Sequence, residues 1–444
     1  VRVLLLAASH TASGDSADVR DRLGFTMREL SFGRFAGGRF HDVMRHAPRH
    51  DAQSVIWVSS TDPWHRAVDI DRSVEQLGFD AVERTGLTRG LPMLTPTAIL
   101  YGTPEDAANE LRFLRSRKYA VNQVELGEEP DGQHVVPEDY GALFLQWATA
   151  IHAVDPKLVL GGPAFQSSVD YVGHWRDAKG RWGWIGRFVD YLRARNRLAD
   201  FGFFSFEWYP VDRLCTPQHP QLIGAPKLLT RMLDQWAAEG LPADIPWLVT
   251  EYGWSSFAGQ SEVDMTAAIF NTDFVAHYLA LGHGATYFYG YEPDVLLREQ
   301  NCPTFGNLML FLSDAEHHIR YPLATFHAAQ MVMHDWLAAE GAHVMHPVAG
   351  GNIALTAFAL DRPDGWHSLL VINKDEHAAT HVAIDGVTGP FREAQFSSRD
   401  YIWKAAGEQG HPIRDLPPHH TSVPSAPADG FELPPYSITV ITWQ

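Results

Sequence analysis

Two short segments concentrate carboxylates where a chain of alternating strands and helices would use them. In Val124-Glu-Leu-Gly-Glu-Glu-Pro-Asp131 an alternating apolar run ends in two glutamates and a proline. In Trp247-Leu-Val-Thr-Glu-Tyr-Gly-Trp254 a second run ends in Glu251, ahead of a glycine turn. Pro130 has no ladder hydrogen bond to donate, so the first run stops there. Alternation puts Gln123, Glu125, Gly127 and Glu129 on one side and carries Glu129 to the strand end. In parallel barrels the C-terminal strand ends converge on one face. A neutral acid that protonates a leaving oxygen and an ionised one that attacks carbon or activates water are the pair that cleaves glycosidic bonds. Strand-end acids also cap helices and pair with arginine, so each segment taken alone has a structural reading as well. Glu207, in Phe206-Glu-Trp-Tyr209 at the end of an intervening strand, has two readings. It is a third acid whose repulsion raises a neighbour's pKa, or it is the partner of Arg213.

The elements that must position these acids read as a strand–helix alternation. Residues 91–100 predict a strand, and Thr103-Pro-Glu-Asp106 provides an N-cap, a first-turn proline and two first-turn acids for a helix to about Arg117. Further strands are predicted at 119–126, 157–162, 201–206, 247–250 and 285–289. Helical patterns lie near 137–154, 184–197, 222–238, 264–281 and 321–338; the first places Tyr140, Leu143, Phe144, Trp147, Ile151 and Val154 on one face. Ser261-x-x-Asp264 starts the fourth of these and Gly282 stops it. The series predicts a (β/α)8 TIM-type barrel over 51–338, with 1–7 and 54–59 as candidates for the missing upstream strands. Residues 1–50 lack a clear long helix and read either as barrel or as the remnant of a β-rich N-terminal accessory element. After 338 short alternating runs take over at 352–360, 367–373, 381–384, 393–396 and 436–443. They predict a C-terminal β-sandwich over 339–444, with 405–432 as a long irregular loop.

The chain has 444 residues, 45% hydrophobic and 20% charged, the composition of a folded globular protein. Thirty-five Lys+Arg against 53 Asp+Glu give a net charge of -18, which repels phosphate backbones and anionic lipids, so neither nucleic acid nor membrane is expected as a partner. No apolar run reaches about 18 residues. The start at Val1, inside a predicted strand, suggests a processed or truncated chain. Cys215 and Cys302 are too few for a disulfide scaffold, although one bridge between two loops stays open. Among 23 histidines there is no H-x-H after an early strand, no HExxH and no paired CxxC, so no metal or other cofactor is expected. The 14 Trp, 14 Tyr and 24 Phe either fill the core or stack on sugar faces. Trp208, Tyr252, Trp254, Tyr287, Tyr289 and Tyr291 stand near strand ends, and Trp64, His65 and Arg66 are candidates for a loop beside the cleft. Oligomeric state is left open.

VELGEEPDG, followed by PEDY and VDPKLVLGGPA, resembles the acid/base region of clan A glycoside hydrolases, most closely family 39 and also families 51 and 79. WLVTEYGWSS resembles their nucleophile strand, and HSLLVINKD and LPPYSITVI resemble the β-sandwich that accompanies those barrels. The resemblance spans about 90–338 as the barrel and then the tail. It implies a retaining double displacement on a poly- or oligosaccharide, with Glu129 as general acid/base and Glu251 as nucleophile. Tyr209 is similar in position to an aromatic that follows the sixth strand in family 39; its alternative is a rim tyrosine.

Two departures from the pattern add negative charge. Glu128 stands where the clan has an asparagine that holds the sugar 2-hydroxyl, and Glu207 where family 39 has a histidine. Glu128 should raise the pKa of Glu129 and alter recognition of the sugar; an acidic pocket disfavours uronates and favours neutral or amino sugars. Glu128, Glu207, Trp208, Tyr209, Tyr252, Trp254 and Tyr289 are the expected substrate contacts. The alternative function is a non-catalytic carbohydrate-binding protein on the same barrel. A carbohydrate substrate implies a secreted or periplasmic location.

Overall fold

The computed structural model describes residues 79–444, apart from 87, 90, 101–102, 167–174, 176–179, 181–182, 291–292, 300–303, 317, 349–352, 386 and 388, together with two short strands near the N-terminus. The expectations for 1–7, 54–59, Trp64, His65, Arg66, Tyr291 and Cys302, and most of those for 1–50, lie outside the described residues. Contacts group the chain into two compact units. One contains the residues up to Trp208 with Met232–Glu251, and the other Tyr209–Arg231 with Tyr252–Gln444.

In the first unit β1 (Arg34–Ala36) and β2 (Arg39–His41) pair antiparallel, and α1 (Phe79–Thr85) leads to the parallel sheet. The sheet then grows in chain order: β3 (Met93–Thr97), α2 (Pro104–Arg117), β4 (Val121–Leu126), α3 (Pro137–Val154), β5 (Val159–Phe165), α4 (Trp184–Arg193), β6 (Phe203–Trp208), α5 (Gln218–Ala238) and β7 (Trp247–Tyr252). Strand order is β3-β4-β5-β6-β7 without a crossover, the progression of a (β/α)8 TIM-type barrel, and five of its strands are described. Local chemistry explains the helix starts. Thr103 accepts from the Asp106 N–H at 2.8 Å and the Asp106 carboxylate accepts from the Thr103 N–H at 3.0 Å, a closed capping box. Pro137 opens α3 where a missing N–H costs nothing.

Aromatic rings fill the layer between sheet and helices. Tyr140 and Phe144 of α3 meet Trp184 and Phe188 of α4 at ring separations of 5.1 to 5.6 Å, and Trp236 packs edge-on against Phe204 and Phe206. Three large aromatic side chains also carry a polar tip to a carbonyl at or beyond a strand end. Trp147 Nε1 donates to Ala98 O at 3.0 Å, the Tyr140 hydroxyl to Leu126 O at 2.6 Å, and Trp184 Nε1 to Val135 O at 2.8 Å. The apolar body of each ring is buried while its polar tip fixes the loop that follows a strand.

The second unit contains α6 (Gln260–Val263) and α7 (Met265–Leu281), the hairpin β8 (Phe311–Ser313) and β9 (Ile319–Pro322), and α8 (Ala324–Gln330), which continues as a π-helical turn over Met331–Trp336. Asp264, not Ser261, caps α7: it accepts from the Thr266 N–H at 2.8 Å, while Ser261 sits inside the preceding short helix. Gly282 ends α7 at φ 73°, a left-handed conformation natural to glycine.

The remaining strands are β10 (Val344–His346), β11 (Leu355–Asp361), β12 (His367–Asn373), β13 (Thr380–Val382), β14 (Phe391–Ser397), β15 (Tyr401–Lys404), β16 (His411–Asp415), β17 (His419–Val423), β18 (Phe431–Leu433) and β19 (Ser437–Trp443). Six form an antiparallel sheet in the order β10-β11-β12-β19-β14-β17. The β13–β18 pair lays Val382, Phe431 and Leu433 over Leu369, Val371 and Ile441 of that sheet, making a second layer. Two expectations are corrected. The stretch 405–432 is not a loop but carries β16, β17 and part of β18, whose Pro and His residues sit mostly on exposed edges. Residues 285–289 make only an isolated bridge at Thr286 and not a strand.

Lys374 ties α7 to this sheet. Its ammonium donates to Asp273 at 2.6 Å with both side chains buried, and the Thr356 hydroxyl donates to the other Asp273 oxygen at 2.6 Å. Removing one partner leaves a buried charge uncompensated. Lys374→Met is therefore expected to cost about 3–5 kcal/mol in a urea unfolding titration, against well under half of that for the paired change with Asp273→Leu.

Candidate active site

The site grows from the end of β4. Gly127 takes φ 87°, and a side chain there would collide with Ile99, so the chain can leave the sheet at this point only with glycine. Glu129 follows at φ 45° and Ala164, at the end of β5, takes φ 54°. Left-handed non-glycine residues cost roughly 1–2 kcal/mol each, and such strain persists where surrounding bonds over-determine it. Here the Glu129 N–H donates to Ala164 O at 3.0 Å and the Gln133 N–H to Glu129 O at 3.0 Å. Strand alternation therefore does not run through to Glu129; a pinned turn aims its side chain instead.

That turn delivers Glu129 to two partners. Gln166 Nε2 donates to Glu129 Oε1 at 3.0 Å, while the Gln166 N–H donates to Asp131 Oδ1 at 3.0 Å, so one residue braces both acids. Glu207, at the end of β6, shares a side-chain hydrogen bond with Glu129. One oxygen from each of Glu128, Glu207 and Glu251 lies within 4.8 Å of the others. Among the described residues this is the one group of three ligand-type side chains close enough to share a cation. Below it, Glu125 sits beside the hydroxyls of Ser205 and Thr250. Ser205 and Glu207 are two residues apart on β6 and share a face, so Glu125 forms the floor under the cluster.

Charge and burial set the protonation of these groups. Burial raises Glu128 well above the ordinary glutamate value, and the charges of Glu251, Glu129 and Glu125 raise it further. Burial does the same to Glu207, with Glu251, Glu129 and Glu128 adding to it. Glu129 is raised by burial, partly offset by its hydrogen bonds to Glu207 and Gln166. The expectation that Glu128 drives the shift of Glu129 is thus replaced by desolvation. Their shared bond acts in opposite senses, raising Glu207 and lowering Glu129. After burial, the charges that raise Glu207 are those of carboxylates. Burial also lifts Glu125 and Asp131 to about 7 each.

The expected aromatic contacts divide. Trp208 and Trp254 are fully buried and Tyr252 nearly so, so these rings pack rather than offer a face to a sugar. Trp254 stacks edge-on to Phe270 at 5.4 Å, and Tyr252 meets Phe274 at 5.0 Å. Tyr209 and Tyr289 are half-buried and meet edge-to-face at 6.2 Å. Gln166 and Asp131 were not singled out by the sequence, because Gln166 comes from the end of β5 and no local spacing links it to Glu129. Cys215 is disulfide-bonded.

No family model matches the chain, and no curated protein matches it either. Solved structures do share the fold. The GH51 arabinofuranosidase from Xanthomonas axonopodis pv. citri is 14% identical with a TM-score of 0.58, over 83% of this chain and 78% of that one. A glycoside hydrolase family 44 endoglucanase produced by Clostridium acetobutylium is 12% identical with a TM-score of 0.53, over 82% and 83%. The family 44 xyloglucanase of Paenibacillus polymyxa is 13% identical with a TM-score of 0.52, over 76% and 70%. At such identities the likeness is one of fold. It is a likeness to clan A barrels, and nothing in it singles out family 39. No described helix is long and apolar enough to cross a membrane.

A pH dependence of stability follows from the buried acids. The unfolded chain ionises Glu125 and Asp131 near their ordinary values of 4.5 and 3.8, whereas the folded chain holds their protons up to about 7. Stability is therefore fully present below about pH 4 as far as these two groups are concerned, and it is lost as pH rises through about 7. Urea unfolding should show the wild type less stable at pH 8 than at pH 5. Glu125→Gln should remove roughly 2–3 kcal/mol of that difference.

Proposed function

We propose that the chain is a retaining glycoside hydrolase of poly- or oligosaccharides, with Glu129 as general acid/base and Glu251 as nucleophile. The observation that carries the reading is the meeting of Glu129, Glu207 and Glu251 at the ends of β4, β6 and β7. Glu129 is hydrogen-bonded to Glu207, and Glu207 has an oxygen within 4.8 Å of Glu251. Glu207 thus links the two carboxyls proposed to react, and a separation of about 5–5.5 Å between Glu129 and Glu251 is what retention requires. The barrel fold shared with clan A glycoside hydrolases supports the same reading.

In the first step Glu251 attacks the anomeric carbon while Glu129, protonated through its bond to Glu207, gives that proton to the glycosidic oxygen. Glu207 stores a proton one hydrogen bond away and can return it to Glu129. In the second step Glu129, now ionised, takes a proton from water, and the hydroxide displaces Glu251 from the sugar. Gln166 holds Glu129 in place through both steps, and Asp131 holds Gln166. A poly- or oligosaccharide substrate keeps the expectation of a secreted or periplasmic enzyme.

Turnover of a panel of aryl glycosides is the direct test. Glu251→Ala should lower kcat by roughly 10^4-fold or more. Glu129→Ala should slow substrates with poor leaving groups far more than those whose phenolate needs no protonation, and NMR of the first-formed sugar should show the anomer of the substrate. Saccharide affinity without turnover in the native chain would replace the enzyme by a binding protein. Gln166→Ala removes a hydrogen bond that favours ionised Glu129, so the alkaline limb of kcat/KM should move to higher pH.

A further inference from the structure

We propose that Ser205 is a positioning residue for the general acid/base: its hydroxyl holds the end of β5 in the conformation that aims Glu129 at the leaving oxygen. The inference rests on the glycosidase reading and concerns how that site is kept in place. Between β5 and β6 the pairing runs from Gly162 with Phe204 to Phe165 with Phe206, so Pro163 and Ala164 stand opposite Ser205 alone. Two residues facing one make a bulge, a device that re-aims a chain beside an active site. The Ala164 N–H of this bulge donates to a side chain, the Ser205 hydroxyl oxygen, at 2.9 Å. Both residues are buried.

A hydroxyl has one proton to give and two lone pairs. With the Ala164 N–H directed at its oxygen, Ser205 gives that proton to Glu125, with which it shares a side-chain hydrogen bond. Serine hydroxyls commonly bond backbone groups within a few residues of their own, whereas this one joins β6 to both β5 and β4. The same Ala164 carries the link onward, because its carbonyl accepts the Glu129 N–H at 3.0 Å. Ala164 and Glu129 are both left-handed, at φ 54° and 45°, and non-glycine residues stay so only where neighbouring bonds over-determine them. Ser205 holds the N–H of Ala164 and Glu129 its carbonyl. Without the hydroxyl a buried N–H is left unpaired. Relaxing the strained φ of Ala164 then turns away the carbonyl that fixes Glu129. Gln166, two residues on and bonded to the Glu129 carboxylate at 3.0 Å, is carried by the same strand end.

The test uses the full chain and reads kcat/KM, which reports the steps up to departure of the leaving group. The substrates are the dinitrophenyl, nitrophenyl, phenyl and methyl glycosides of the sugar that the native chain turns over. Ser205→Ala should lower kcat/KM about ten- to a hundredfold for the methyl and phenyl glycosides, whose leaving oxygens need a proton, and leave the dinitrophenyl glycoside within about twofold. Ser205→Cys keeps an acceptor beside Ala164 and should fall between the native chain and Ser205→Ala, with the same dependence on the leaving group. A loss equal for every leaving group assigns Ser205 to the nucleophile or to packing, and no loss makes it dispensable; either result overturns the proposal. Failure of both variants to fold overturns it as well, by making Ser205 a residue of the fold and not of the acid. The glycosidase reading fails separately. It falls if the native chain turns over no glycoside or if Glu251→Ala keeps native turnover, and Ser205 then positions no acid. Native turnover with a response to Ser205→Ala that ignores the leaving group keeps the enzyme and removes only this role.

Discussion

Carboxylate crowding is the constraint around which the first unit is built. At 4.8 Å two ionised carboxylates repel by about 3–4 kcal/mol at an effective dielectric of about 20. Glu128, Glu207 and Glu251 therefore cannot all ionise cheaply, and the solution is to distribute protons among them. Glu128 and Glu207 are pushed far up, while hydrogen bonds from Gln166 and Glu207 moderate Glu129. One group is thereby kept able to exchange its proton while its neighbours hold theirs. Groups with differing protonation in a small volume are what acid/base chemistry at one carbon requires.

Holding such a cluster needs rigid strand ends, and the sheet obtains them from its aromatic layer. Trp147, Tyr140 and Trp184 each bury a ring between sheet and helices and donate to a carbonyl just past β3, β4 or the turn after β4. The same contacts tie helix packing to the placement of Gly127, Glu128 and Glu129. Apolar burial thus positions a polar site, at a cost in conformational strain that includes Glu129, His134 and Ala164. The second unit uses a related device: buried Lys374 and Asp273 fix α7 on the antiparallel sheet, with Thr356 completing the aspartate's bonds.

Much of this architecture is legible in the chain itself. The strands ending at Leu126 and Trp208, the helix Pro137–Val154 and the capping box at Thr103 follow from periodicity and end signals, because each depends on residues within a few positions of one another. Where local signals misled, longer-range contacts were responsible. The Pro- and His-rich stretch after Gly410 forms strands because β14 and β15 offer edges to pair with. The segment 285–289 has the composition of a strand yet makes a single bridge at Thr286. Trp208 and Trp254 stand at strand ends like sugar platforms, yet the packing around them leaves no ring face open.

The sequence by itself determined the strand–helix alternation, the identity of the strand-end acids and the excess of negative charge. All three are properties of residue type and near-neighbour spacing. Only the tertiary structure decided which acids meet, how their protons are shared and what braces them. Glu125, Glu207 and Gln166 come from three different strands or their ends, and the strength of their coupling depends on separations of a few ångströms and on exclusion of water. Desolvation, the largest influence on Glu128, Glu129 and Glu207, exists only once the surrounding chain has closed over them.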